Sequence, residues 1–342
     1  MPAESTQFRT QFCRSTPPLA HGYAVGSSVT STDAKRSDRL ARCPPETVCE
    51  TAVPVAEAPE PWWDGAMINP ADARPSESLS VTARARALVT VIGGPTALIE
   101  VGGLRILVDP TFDPVGPHGA LVKTGEPAIP AADIGTLDLV LVSHAEHADN
   151  LDTAGLEVAR SAPVVFTGAH SAELIGASAV ALKDWESRSV PRPDGRSLTV
   201  TAVPAHHGPE DGRRDAFGDI NCEVHGFVLS GPGLPTLYVS GDNASIAVVR
   251  EISDRLGPFD AAVVNAGAAR VASKFSDRPL SMTSERAAAV AALLAPARII
   301  PAHHDGWAHF SEGIDRIVTA FDDAGLIRLL AAAPAGAPIA IP

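Results

Sequence analysis

The chain has 342 residues, 45% of them hydrophobic, with 27 basic and 40 acidic side chains and a formal net charge of −13. That is enough apolar material for one large domain or two ordinary ones, while charged, Pro or Gly positions interrupt every apolar run before it could span a bilayer. The acidity argues against a nucleic-acid surface, because affinity for phosphate backbones comes from clustered Lys and Arg, so neither nucleic acid nor membrane is expected as a partner.

Residues 1–85 are rich in Pro, Ser, Thr, Ala and Glu, with Pro17-Pro18, Pro44-Pro45 and the stretch from Pro54 to Pro61, and show neither strand nor helix periodicity. They read as a mostly disordered arm, and a charge of −11 falls on residues 86–342. The arm lacks the basic start and unbroken apolar segment of a secretory signal. The Arg/Ser-rich pieces between Arg9 and Arg42 leave organelle targeting as an alternative. Trp62-Trp63 either docks on the domain or stands exposed. Cys13, Cys43 and Cys49 lie in the arm and only Cys222 in the domain, so no disulfide can staple the core and a reducing, cytoplasmic compartment is expected. Cys43 and Cys49 lack a paired zinc spacing.

From residue 86 the texture changes to short apolar strands punctuated by Gly and Pro. Strands are predicted at 87–92, 96–101 and 104–108, with Gly93-Gly94-Pro95 and Gly102-Gly103 as turns between them. Further strands are predicted at 137–142, 163–166, 197–203, 222–229, 236–240, 261–265 and 298–301. Helices are predicted at 151–160, 169–175, 244–256, 284–294 and 310–324. Ser281 to Glu285 and Ser311-Glu312 supply helix starts, and Gly325 supplies a stop. The alternation implies an α/β layered fold with mixed sheets covered by helices.

Six of the eleven histidines fall in three clusters, each just after an apolar run that reads as a buried strand. The first is Ser143-His144-Ala145-Glu146-His147-Ala148-Asp149-Asn150. The others are Pro204-Ala205-His206-His207 and Pro301-Ala302-His303-His304. Imidazole is the commonest metal-binding side chain, and strand ends let a rigid sheet aim several ligands at one point.

The first cluster resembles the leading metal motif of the metallo-β-lactamase superfamily, His-x-His-x-Asp-His. Pro204-Ala205-His206-His207, Ser240-Gly241-Asp242 and Pro301-Ala302-His303 follow in the order and approximate spacing of the later motifs, and Ile106 to Pro110 resembles the strand-to-Asp element upstream of the first. The resemblance covers residues 86–342 and is nearest to the ascorbate-lactonase-like branch of bacterial metal-dependent hydrolases. It implies a four-layer αβ/βα sandwich with metals at one edge. By position in the motifs it implies His144, His147, Asp149, His207, Asp242 and His303 as ligands, with Asp242 as the bridging carboxylate and His207 and His303 preferred over His206 and His304.

The first motif departs from the family pattern twice. His144 precedes His147 by three residues instead of two, and Asn150 stands where a histidine is usual. A turn at the strand end can still bring His144 to a metal, and a count from His144 would instead make Glu146 a ligand. Neutral amide oxygen is a poor zinc ligand beside imidazole, so one zinc ion, two unequal ones, or a harder cation such as Mn2+ in the second position all follow. Asp149 is the catalytic candidate, orienting a water or moving its proton. Asp109 and Asn150 are candidates to brace a ligand from behind. His206, His304, His309 and Trp307 either line a substrate pocket or pack beside it.

Plainer readings exist too. Asp109-Pro110 could be only a turn and Asp242-Asn243 only a helix cap, while His21, His118, His170 and His225 read as ordinary isolated histidines. The expected activity is hydrolysis of a small ester, lactone or amide by metal-activated water. A small-molecule phosphodiesterase or a non-hydrolytic redox or binding relative is the alternative. Specificity is expected from the loops at 111–129 and 210–219.

Overall fold

The computed structural model describes residues 87–295 and 297–342; the arm, with Trp62-Trp63 and three of the four cysteines, lies outside them. Three antiparallel strands open the domain as expected: β1 (Ala87–Gly93), β2 (Thr96–Val101) and β3 (Leu104–Val108). The segment expected to be a plain loop then forms a small hairpin, β4 (Gly116–His118) and β5 (Leu121–Lys123). Next come β6 (Leu139–Leu141), α1 (Thr153–Ser161), β7 (Val165–Thr167), α2 (Ala169–Ile175) and β8 (Ala179–Ala181). β6, β7 and β8 run parallel to β3, and β15 (Ile339–Ile341) pairs with the outer edge of β1, completing a seven-stranded sheet.

The second sheet has six strands: β9 (Ser187–Pro191), β10 (Ser197–Pro204), β11 (His225–Ser230), β12 (Leu237–Val239), β13 (Ala261–Asn265) and β14 (Arg298–Ala302). Its first four strands form an antiparallel meander and its last three are parallel. The parallel strands are joined by α3 (Ile246–Leu256) and α4 (Ser284–Leu294), and α5 (Ile314–Asp323) follows β14.

Strand side chains alternate between two faces, and here both faces are apolar. Ile99, Ile106, Leu139 and Leu141 of the first sheet pack against Val200, Phe227, Leu229 and Val263 of the second, forming the central core. Their neighbours Leu98, Leu107, Val140 and Val165 face outward onto Ala159 and Ile175 of α1 and α2. Val228, Tyr238, Ala262 and Val264 do the same beneath α3, α4 and α5. The result is the expected four-layer αβ/βα sandwich. Burying each large side chain in this core contributes about 1.5–3 kcal/mol.

Helix starts follow from capping oxygens. Asp152 accepts from Gly155 N at 2.7 Å, Ser245 from Val248 N at 3.3 Å and Thr283 from Arg286 N at 3.3 Å. α5 begins at Ile314 and not at residue 310, because Ser311-Glu312 is engaged elsewhere: Glu312 accepts from Ser284 N and Oγ at 2.7 and 2.6 Å, and Ser311 Oγ donates to Ala268 O. β11 starts at His225, three residues later than its apolar pattern suggests.

Candidate metal centre

Five strands deliver the motif residues to one edge of the sandwich. Asp109 follows β3, His144 to Asp149 follow β6, His207 follows β10, Asp242 follows β12 and His303 follows β14. β3 and β6 are parallel, as are β12 to β14, and β10 runs with β12 because both oppose β11, so these ends point the same way within each sheet. The turns are tight. Asp109 and His303 hold left-handed backbones, with φ of 40° and 57°, a conformation that costs a non-glycine residue about 1–3 kcal/mol and clusters at functional sites. Gly241, φ 55°, has no room for a side chain, since a Cβ there would lie 2.5 Å from His225 O.

Three imidazoles converge first. His147 Nδ1 lies 2.9 Å from His144 Nε2 and 3.1 Å from His207 Nε2. His207 Nδ1 is 2.9 Å from Leu280 O, an oxygen that can only accept, so Nδ1 carries the proton and the Nε2 lone pair faces the other rings. Ser143 Oγ, 3.0 Å from His144 Nδ1, holds that ring with Nε2 toward its partners. Burial, followed by the neighbouring His207, lowers His144 to a pKa of about 4. Burial also lowers His147 well below the ordinary range, and His207 below it. All three are therefore neutral near pH 7, the form in which imidazole ligates.

Carboxylates form the second group. His303 Nε2 sits 3.2 Å from Asp149 Oδ2 and 3.3 Å from Asp242 Oδ1, while Asp242 Oδ2 faces His207 Nε2 at 3.7 Å. Asp242 thus spans both groups. Burial pushes Asp149 upward, but hydrogen bonds from His303 and His309 outweigh it and hold this carboxyl well below its usual value. Asp242 is lowered on balance, with His303 and His207 overcoming burial. His303, between two carboxylates, is raised despite burial.

Behind the first motif, Asp109 Oδ1 accepts from Ser143 N at 2.6 Å, and Asn150 Nδ2 lies 3.4 Å from Asp109 Oδ2 and 3.3 Å from Ser143 Oγ. Asp109 and Asn150 brace the loop that carries His144. Desolvation is the largest influence on Asp109 and lifts its pKa to about 7, against the lowering pull of the Ser143 hydrogen bonds.

A chamber of about 100 Å³ opens onto the imidazoles. It is lined by His147, Asp149, His207, His309, Lys274 and apolar residues including Leu121 and Leu280. Leu121, Ala120 and His147 also line an open groove of about 610 Å³ outside it, so the β4–β5 hairpin stands at the mouth. The loop expectation for 111–129 is corrected to that hairpin.

Other expectations are corrected as well. Glu146 is turned away: its Oε2 accepts from Ala145 N and Ser171 Oγ. His304 lines a narrow crevice beside Pro301 and Ile314, and His206 lines a separate cavity of about 540 Å³ with Asp184, Phe217 and His225; neither borders the chamber. Trp307 lines a third cavity with Lys123. Asp242-Asn243 does not cap α3, whose cap is Ser245.

Three residues gain a place that the motifs did not give them. His309 Nε2 is 2.9 Å from Asp149 Oδ2, Lys274 Nζ is 3.3 Å from His147 Nε2, and Cys222 Sγ stands beside the three imidazoles. Only His309 had a sequence signal, its nearness to His303.

These residues fit a cation. Ligating atoms of His144, His147, His207 and Cys222 lie within 4.8 Å of one another, as do those of Asp149, Asp242 and His303. A tetrahedral shell with metal–nitrogen bonds of about 2.0 Å places its nitrogens about 3.3 Å apart, close to the imidazole separations here. Asp242 Oδ2 is buried and has no hydrogen-bond partner among the described residues, an arrangement that is costly unless a positive centre meets it. A His/Asp cluster of this kind at the edge of an αβ/βα sandwich is the arrangement of a metal-dependent enzyme. The chain belongs to the β-lactamase superfamily: the sequence model of the β-lactamase superfamily domain matches residues 104–304.

Relatives agree. A metal-dependent hydrolase of Pyrococcus furiosus is 26% identical over 219 residues, 64% of this chain and 85% of that one. The isothiocyanate hydrolase from Delia radicum gut bacteria superposes with a TM-score of 0.63 at 20% identity, covering 74% of this chain and 98% of that one. The diiron β-hydroxylase CmlA of Streptomyces venezuelae superposes with a TM-score of 0.55 at 16% identity, covering 75% and 54%. At such identities the structural likeness shows the fold alone, and a fold hosts more than one chemistry.

Proposed function

We propose that the protein is a zinc-dependent hydrolase of small acyl compounds, an ester, lactone or amide, acting with one or two metal ions. The observation that carries the reading is Asp242, whose two oxygens face a nitrogen-rich group and a carboxylate-rich group, with His147 and Asp149 of those groups lining the chamber and His147 also lining the adjoining groove of small-molecule size. His144, His147 and His207 would hold the first ion, and Asp149, Asp242 and His303 the second. The nitrogen-rich half favours zinc, and the oxygen-rich half also accepts Mn2+. A dication seated there supplies a Lewis acid and a water acidic enough to attack at neutral pH.

The chain's own groups do the rest. Asp149 lines the chamber and stays ionised, so it orients a water more readily than it takes a proton outright. His303 and His309 hold its Oδ2 from two sides. Leu121, Leu280 and Val271 exclude water from the chamber, and Lys274 offers the one ammonium among its described lining residues. This composition suits a small apolar acyl group that carries or develops negative charge.

The test is turnover by zinc-loaded protein of a panel of neutral esters, lactones and amides, with a phosphodiester alongside. Acyl hydrolysis lost on chelation and restored by zinc is expected. Bound iron with no hydrolysis of any of these compounds would contradict the proposal.

A further inference from the structure

We infer that Cys222 is a fourth donor to the three-imidazole position, so that this half of the centre is a closed His/His/His/Cys shell. The inference rests on the metal-centre reading above and adds to it a ligand outside the histidine and aspartate motifs. Cys222 lies three residues before β11, and its Sγ shares a 4.8 Å neighbourhood with the facing nitrogens of His144, His147 and His207. It has no disulfide partner among the described residues.

Two independent observations indicate that this corner awaits a cation. The His207 Nε2 lone pair is aimed at the other rings because Nδ1 is committed to Leu280 O. Asp242 Oδ2, on a side chain 1% exposed, faces the same nitrogen with no hydrogen-bond partner among the described residues. Three imidazoles and one thiolate are a complete tetrahedral donor set for zinc. On binding, the sulfur–metal bond forms and the thiol proton leaves to solvent.

The consequence is a division of labour. A filled shell leaves no open position, so water is activated at the neighbouring group of Asp149, Asp242 and His303, beside the chamber. A soft sulfur donor also narrows the first position to zinc-like ions and excludes Mn2+ from it.

The experiment is cobalt substitution of the full-length protein, read by absorption spectroscopy with metal content measured on the same samples. A sulfur-to-cobalt charge-transfer band in the near ultraviolet is expected in the parent protein and lost in Cys222→Ser, while the visible cobalt bands remain. Should the variant not fold, alkylation of the parent protein serves: iodoacetamide should label Cys222 in the metal-free form and spare it in the cobalt form, with peptide masses separating it from Cys13, Cys43 and Cys49. Bound cobalt without the near-ultraviolet band, a band surviving in Cys222→Ser, or equal labelling of both forms would overturn the inference and leave the hydrolase reading standing. Failure to bind any cobalt would overturn both.

Discussion

His309 Nε2 lies 2.9 Å from Asp149 Oδ2, the oxygen that also faces His303 Nε2 at 3.2 Å. One carboxylate oxygen is thus held by two imidazoles from the same loop. Partners of this kind orient a ligand, and their loss typically costs about 10–100-fold in metal affinity or activity. His309→Ala should lower turnover by that order while retaining more metal than His303→Ala does. Equal metal loss in the two variants, measured by elemental analysis, would instead make His309 a ligand in its own right.

Asp109 gives a pH signature in the metal-free protein. Its pKa rises from 3.8 to about 7 on folding, so the folded state binds the extra proton. Its favourable contribution is complete below 3.8 and is lost as pH rises through 7. His144, lowered from 6.5 to about 4, acts oppositely: its contribution is present above 6.5 and is lost as pH falls toward 4. Asp109→Asn should therefore gain stability relative to the parent as pH rises between these limits, measured by urea unfolding at pH 5 and pH 7.5. A difference that does not change with pH would show that Asp109 is not buried as described.

Gly267 is held against the backbone of His303, where a Cβ would sit 1.9 Å from the His303 carbonyl oxygen. Gly267→Ala must displace the left-handed turn that aims this imidazole, and a cost on the order of 2 kcal/mol or more is expected. Its thermal midpoint should fall in the metal-free protein and its zinc affinity should fall with it. An unchanged affinity would mean that His303 needs no such support.

Lys274 bridges Asn221 Oδ1 at 2.6 Å and His147 Nε2 at 3.3 Å, from a turn whose next three residues, Phe275, Ser276 and Asp277, all have positive φ. A strained turn is kept where the surrounding structure over-determines it. Lys274→Met should lower kcat/KM for an ester bearing a carboxylate by about tenfold, or roughly 1.4 kcal/mol, and change that for a neutral ester much less. Equal losses on the two esters would show that the ammonium does not read substrate charge.

Strands with apolar side chains on both faces were legible because their apolar runs are nearly continuous, as around Ile99, Ile106 and Val263. β9 was not, since Val190 is its only buried residue and its polar partners give no alternation to read. β15 is a three-residue strand stabilised by pairing with distant β1, a tertiary effect that local pattern does not encode, and the three-residue strands β4 and β5, which pair with each other, are too short to show a period. At the site, the motifs led to His207, Asp242 and His303 because each follows a strand. Cys222 and Lys274 come from irregular loops, and Asn221 and Ser276 hold left-handed backbones beside them; no sequence period reports such positions.

The central claim is that Asp242 and the imidazole trio hold metal. Elemental analysis of the purified protein beside His147→Ala and Asp242→Ala measures it directly. The account predicts about one or two zinc ions per chain in the parent and a clear loss in each variant, with both still folded by circular dichroism. Parent-level metal in both folded variants would contradict it.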